Sequence, residues 1–169
     1  RGEAPATPVP PGGVDIPLSG LRQTIARRLT ESKQTIPHWY LYAEVRMDRA
    51  MQFRDELNAH VAEGGAKISV TDLVIKVSAV ALARHPEMNA MFAEGKIHRH
   101  AAISIAVAVA TEDGLYTPVL RNADHKSFAE IERVIADFAQ RAAQNAITIE
   151  ELQGGTFTIT NGGVFGSLM

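Results

Sequence analysis

Apolar residues recur along this chain in two periods, and the switches between them mark out its elements. From Leu21 the period is helical: Leu21, Ile25 and Leu29 stand at i, i+4 and i+8, with Arg22, Arg27, Arg28 and Glu31 on other faces. This helix is expected to stop before Pro37, whose ring disfavours helical geometry at Ile36. His38 to Met47 holds Trp39, Tyr40, Tyr42 and Val45 and reads as a strand. Asp48 to about Val61 is a second amphipathic helix, closed by Gly64-Gly65. Ser69-Val70-Thr71-Asp72 has the form of a capping box and opens a third helix. Its apolar residues (Leu73, Val74, Ile75, Val77, Val80, Leu82) cover nearly all faces, which predicts a central, buried helix ending near His85-Pro86.

The period then changes to two. Over Ala101 to Ala110, Ile103, Ile105, Val107 and Val109 share one face, and Ala102, Ser104, Ala106 and Ala108 the other. Both faces are apolar or small, so one strand buried on both sides is expected, its small face allowing a close approach or leaving a channel. Asp113-Gly114 turns the chain into Leu115 to Leu120, where Pro118 predicts an edge or a ladder break. Ser127 with Glu130 is a second capping box, and Phe128, Ile131, Val134, Ile135 and Phe138 trace one face of a fourth helix. Thr156 to Thr160 is the closing strand, followed by Asn161 and three glycines, Gly162, Gly163 and Gly166. Helices and strands are mixed without a strict βαβ rhythm. The fold class is α/β or α+β, with a sheet expected to lack its last strands.

A length of 169 residues suits one domain plus a tail, and 46% apolar residues are enough for a core. A net charge of −2 with no basic stripe argues against a nucleic-acid partner. Cysteine is absent, which excludes disulfides, thiolate nucleophiles and cysteine metal sites. No apolar run reaches the roughly 20 residues that span a bilayer, so no membrane partner is expected. Residues 1–15 hold Pro5, Pro8, Pro10 and Pro11 among Ala and Gly and read as an extended linker, leaving 16–169 as the domain. The start lacks Met and any signal-peptide pattern, and both ends read as cut.

The Gly-rich end lacks the Gly-Lys-Ser/Thr ending of a phosphate loop, and no Gly-x-Gly-x-x-Gly lies between a strand and a helix. His98 and His100 would share one strand face, but no third ligand stands at suitable spacing, so no metal is expected. His38 and His85 flank prolines at element ends, and His125 lies in a polar loop. Arg54, beside Asp55 and Glu56, has a solvated ion pair as its plain explanation, and Ser69 has its N-cap. Thr160 differs. It ends a strand beside an amide side chain and bare backbone, an arrangement suited to donating a hydrogen bond to an oxyanion as well as to a simple alternating strand position.

Six segments together resemble one family, the dihydrolipoamide acyltransferase (E2) catalytic core of 2-oxo acid dehydrogenase complexes. They are Leu21 to Leu29, Ile36-Pro37-His38, Leu73-Val74-Ile75-Lys76, Pro86-Glu87-Met88-Asn89-Ala90, Gly114 to Val119, and Gly154 to Asn161. They occur in family order and extend the resemblance over 16–169. The resemblance implies a chloramphenicol-acetyltransferase-like fold, a two-layer mixed sheet with helices, incomplete here at the C-terminus. It implies homotrimers with active sites between subunits, building a cubic or dodecahedral core that works with E1 and E3 subunits. The implied reaction passes an acyl group from lipoamide, on a separate lipoyl domain, to coenzyme A. A histidine takes the thiol proton, and a Ser/Thr hydroxyl from the neighbouring subunit stabilises the oxyanion. Thr160 matches that hydroxyl, and Arg54, Ser69, Gln140, Thr160 and Asn161 fall where the family contacts coenzyme A. The proline-rich start resembles the family's interdomain linker.

One feature departs from the family. The base lies in a His-x-x-x-Asp-Gly motif, and no histidine here is followed by Asp-Gly at that spacing. The motif is expected past Met169, so these residues alone are expected to be inactive. A non-catalytic scaffold subunit of the same complex is the alternative. Acyl specificity reads as mixed: Ile36-Pro37-His38 and the helix after Ser69 resemble acetyl- or branched-chain-transferring members, while Thr160 to Met169 resembles succinyl-transferring ones. Acetyl is favoured because its matches span more of the chain. The implied location is the cytoplasm, or the mitochondrial matrix in a eukaryote.

Overall fold

A computed structural model describes residues 12–62, 65–111 and 114–167. Pro5, Pro8, Pro10 and Pro11 of the expected linker, Gly64, Asp113, Leu168 and Met169 lie outside them. The chain divides into two compact units, one up to Val45 and one from Arg46.

The first unit contains α1 (Gly20–Thr35). The Ser19 hydroxyl caps it by accepting the Arg22 N–H at 3.4 Å. Ile36 is extended, at φ −108° and ψ 121°, as the following proline requires. The strand expected from His38 to Met47 is not formed. No strand occurs there among the described residues, and Trp39, Tyr40, Leu41 and Tyr42 are exposed. Aromatic and β-branched residues suit a pleated, half-buried surface, but a strand exists only when another pairs with it. Local contacts of this run include the Lys33 ammonium donating to the Tyr40 hydroxyl and the His38 Nδ1 lying 2.6 Å from the Ile36 carbonyl oxygen.

The second unit begins with α2 (Asp48–Ala59), whose Asp48 lies in the first turn, where the helix dipole favours an acid. Asn58 ties it to the chain ahead of the next helix: its amide donates to the Ile68 carbonyl at 3.0 Å and accepts the Ile68 N–H at 2.8 Å. The predicted capping box opens α3 (Val70–Arg84), with Ser69 and Asp72 bonded reciprocally. The expected all-round burial is corrected: Leu73, Ile75, Ala79 and Leu82 are buried, but Val77 is 66% exposed and Val74 and Val80 also reach the surface. One stripe of α3 meets the core, and the opposite stripe is apolar without a cover among the described residues.

A hairpin that the sequence pattern did not signal follows, β1 (Ala90–Ala93) and β2 (Lys96–Arg99). Glu94 and Gly95 turn it with φ 53° and 74°, but Glu is not a usual residue for positive φ, so the turn lacks the Asn-Gly or Asp-Gly signature. Asn89 anchors its base, buried and donating to the carbonyls of His100 and Ala102, each at 3.0 Å.

The single strand expected from Ala101 to Ala110 is two short ones, β3 (Ile105–Val107) and β4 (Val109–Thr111), in different sheets. β4 pairs with β5 (Gly114–Tyr116), while β3 is the centre of a mixed sheet. It pairs antiparallel with β6 (Val119–Leu120) and parallel with β7 (Phe157–Ile159). Pro118 falls in the break between β5 and β6, as expected, and its carbonyl accepts the Val107 N–H at 3.0 Å. All three residues of β3 are buried. The small face of the strand serves close approach: a Cβ on Gly155 would stand 3.2 Å from the Ala106 methyl.

The second capping box, Ser127 with Glu130, opens α4 (Phe128–Ala143), which buries Ile131, Phe138 and Ala142. Ile75, Ala79 and Leu82 of α3, Ile131 of α4, Ile105 and Val107 of β3, Leu120 and Ile159 form one core. Two helices thus cover one face of a mixed sheet, the layered α/β arrangement predicted.

Candidate functional site

The site grows from the end of β7. Thr156, Thr158 and Thr160 alternate along it, and their surroundings separate them. Thr156 docks the strand: its N–H donates to the Ser104 carbonyl at 2.7 Å, and its hydroxyl oxygen accepts the Ser104 N–H at 3.2 Å. Thr158, opposite Ala106 in the ladder, is exposed. The ladder ends at Ile159, whose carbonyl accepts the Ala108 N–H at 2.9 Å. Thr160 is the first residue beyond it, exposed, and its hydroxyl has no hydrogen-bond partner among the described residues.

Thr160 and Asn161 line a cavity of about 130 Å³ with Val70, Thr71, Val74 and Ile159. Three walls are apolar, and three side chains carry hydrogen-bonding groups. Among the described residues no charged side chain lines it. Asn161 caps the short turn Gly162–Phe165, its Oδ1 accepting the Gly163 N–H at 3.0 Å, while its Nδ2 donates to the Thr71 hydroxyl at 3.0 Å. The glycines serve this turn: Gly166 closes it at φ 77°, a conformation costly for other residues.

The other expected contact residues are placed less closely. Ser69, one residue before the cavity wall, has both hydrogen-bonding roles engaged: its hydroxyl donates to Asp72 Oδ2 at 2.7 Å and accepts the Asp72 N–H at 3.2 Å. Asp72 is buried, and its Oδ1 has no hydrogen-bond partner among the described residues. Arg54, on α2, pairs with Asp55 at 2.9 Å, while its Nε is buried without a partner among the described residues. Gln140 is exposed on α4. The structure therefore brings Thr160, Asn161 and the helix start after Ser69 together, with Gln140 outside the cavity lining.

Thr71 is the site residue that reading the sequence missed. Its position in the first turn of α3 was visible, but its partner lies 90 residues away, beyond the reach of local spacing. His98 and His100, expected on one strand face, pack edge to face with ring centres 4.9 Å apart. No cluster of three or more metal-ligating side chains occurs among the described residues. No helix among them is long and apolar enough to cross a membrane.

Upstream of β7, two arginines hold the chain. Arg121 donates to the carbonyls of Glu150 and Gln153 at 3.0 and 3.1 Å. Arg141 pairs with Glu151 through two bonds of 2.8 and 2.7 Å and also with Asp137. These guanidinium bonds, with the Thr148 N–H, lower the Glu151 carboxyl to about 2.

Comparison with known proteins extends the local picture to the whole chain. It is 46% identical over 158 residues to the mitochondrial dihydrolipoyllysine-residue acetyltransferase component of the Caenorhabditis elegans pyruvate dehydrogenase complex, covering 91% of this chain and 31% of that protein. The chain thus spans about a third of the length of such curated relatives. The crystal structure of a probable dihydrolipoamide acetyltransferase from Listeria monocytogenes superposes with a TM-score of 0.86 at 36% identity, covering 94% of this chain and 68% of that one. The cubic core of a pyruvate dehydrogenase multienzyme complex gives 0.85 at 30% identity, with coverages of 92% and 67%. The fold is that of these acyltransferase cores. The family model for the catalytic domain of 2-oxoacid dehydrogenase acyltransferases matches residues 10–169, and the chain belongs to that family.

Proposed function

We propose that the protein carrying this chain is the acyltransferase component of a 2-oxo acid dehydrogenase complex, transferring an acetyl group from lipoamide to coenzyme A. The observation that carries this reading is the Thr160 hydroxyl, without a hydrogen-bond partner among the described residues, at the rim of a small cavity that none of their charged side chains lines. The sulfur of coenzyme A, deprotonated, attacks the thioester carbonyl of acetyl-lipoamide. Charge gathers on the carbonyl oxygen, where the Thr160 hydroxyl donates, and collapse expels the dihydrolipoamide sulfur, which takes back the proton. None of the described histidines lines this cavity. The base in this reading is the histidine of the family motif, brought by another part of the complete protein.

Arg54, Ser69, Gln140 and Asn161 are assigned to coenzyme A. Arg54 retains N–H groups beyond its bond to Asp55, and Asn161 has a second amide hydrogen beside Thr160. The acetyl preference draws support from the acetyltransferase names of the C. elegans and Listeria relatives. A homotrimer building a larger core that engages lipoyl domains, E1 and E3 is part of the same reading. Likeness to a cubic core and the exposed apolar side chains support it. The location proposed is the cytoplasm, or the mitochondrial matrix as in the C. elegans relative.

The test is acyl-coenzyme A formation by the complete protein from acetyl-, succinyl- and isobutyryl-dihydrolipoamide. Fastest turnover with acetyl is expected. Preference for succinyl would overturn the acetyl assignment, and no thioester from any donor would favour the scaffold reading.

A further inference from the structure

We propose that Thr71 is a positioning residue of the acyl-transfer site, holding Asn161 and through it the backbone that presents the Thr160 hydroxyl. This rests on the reading of Thr160 given above. Thr160 stands between two fixed neighbours. On one side Ile159 is held in the ladder, opposite Val107 and bonded to Ala108. On the other, Asn161 reaches across to α3 through the 3.0 Å bond to Thr71. A single residue between two anchors has little backbone freedom left, which places its hydroxyl before any substrate arrives.

The direction of each bond follows from the groups involved. The Gly163 N–H can only donate, so it must face the Asn161 Oδ1, 3.0 Å away. That orientation turns the Nδ2 toward α3, where the Thr71 oxygen accepts it. Thr71 can serve as an anchor because its own backbone is fixed. It lies in the first turn of a helix opened by the Ser69–Asp72 box, directly before the buried Asp72 and Leu73. Thr71, Thr160 and Asn161 all line the same cavity, so the tether joins residues of the wall that carries Thr160.

The contact differs from an ordinary packing bond in what its loss should change. Removing the hydroxyl leaves the core untouched, since the side chain is only half-buried. It releases Asn161 and leaves Thr160 anchored on one side. Misplacement of a catalytic group lowers turnover more than it lowers binding.

The experiment uses the complete protein with coenzyme A and acetyl-dihydrolipoamide, comparing Thr71→Val, Thr71→Ser, Thr160→Ala and the Thr71→Val/Thr160→Ala double variant. Thr71→Val should lower kcat about tenfold while KM for the acyl donor stays within about twofold. Thr71→Ser, which keeps the oxygen, should restore most of that loss. In the double variant the Thr71 change should add nothing to Thr160→Ala, because its effect passes through Thr160. If Thr160→Ala is slow but Thr71→Val turns over normally, or if the two losses multiply, the positioning role is wrong while Thr160 keeps its role. If Thr160→Ala turns over normally, the reading of Thr160 fails and this inference with it. Thr71→Ala carries the same expectations should the valine variant not assemble.

Discussion

Thr156, Thr158 and Thr160 look alike in the sequence, and only their partners distinguish them. Thr156 gives its side chain to Ser104, whereas Thr160 has no partner among the described residues. Alternation and the glycines after Asn161 made Thr160 legible as a strand-end hydroxyl; the tether to Thr71 was not legible, because nothing local links residues 90 positions apart. Ser69 was legible as a cap, and the reciprocal bonds with Asp72 bear this out. Ser69→Ala should destabilise the protein by about 1 kcal/mol through loss of the cap, read as a shift in the urea midpoint with unchanged slope. Gly154 adopts φ 78°, and a Cβ there would stand 3.1 Å from the Arg121 guanidinium. Gly154→Ala should cost about 1–2 kcal/mol from the left-handed backbone, measured in the same way.

At the scale of elements, α3 and α4 were legible because each opens with a capping box and shows a helical apolar period. The strand from Ala101 to Ala110 was only partly so. Its alternation is continuous, but the break at Ala108 follows from Val107 pairing in one sheet and Val109 in another, a choice made by distant residues. Asn58 imitates a strand partner for Ile68 and docks α2 ahead of α3. Asn58→Ala removes two partly buried bonds and should cost about 2 kcal/mol, with faster amide exchange in α2 and at Ile68 as the signature. The Arg141–Glu151 pair gives the turn before β7 a pH dependence. The Glu151 carboxyl is lowered to about 2 by the Arg141 bonds first and the Thr148 N–H second. A lowered folded value means the folded state binds fewer protons, so the contribution is full above the unfolded value near 4.3. It is lost as the pH falls through about 2. Glu151→Gln should flatten this part of the stability profile, measured by urea unfolding at stepped acidic pH.

For the whole molecule, the 46% apolar content reads as enough for a core, and the buried side chains of α3, α4 and the mixed sheet form one. The run from His38 to Met47 could not be settled from sequence, because its aromatic residues suit a strand only if a partner is supplied. Trp39, Leu41 and Tyr42 are each at least 74% exposed, more apolar surface in one stretch than a monomer ordinarily leaves uncovered. Under the proposed assembly this stretch is covered by other chain. Leu41→Asp in the complete protein should therefore shift the core to smaller species in sedimentation velocity, and an unchanged particle would remove this stretch from the assembly contacts.

In the proposed reaction Thr160 stabilises the acyl oxyanion, and the decisive measurement is the steady-state turnover of the complete Thr160→Ala protein. Its kcat should be lower by about 10²–10³-fold, the usual cost of one oxyanion donor, with particle size unchanged by light scattering. Turnover near that of the unaltered protein would contradict it.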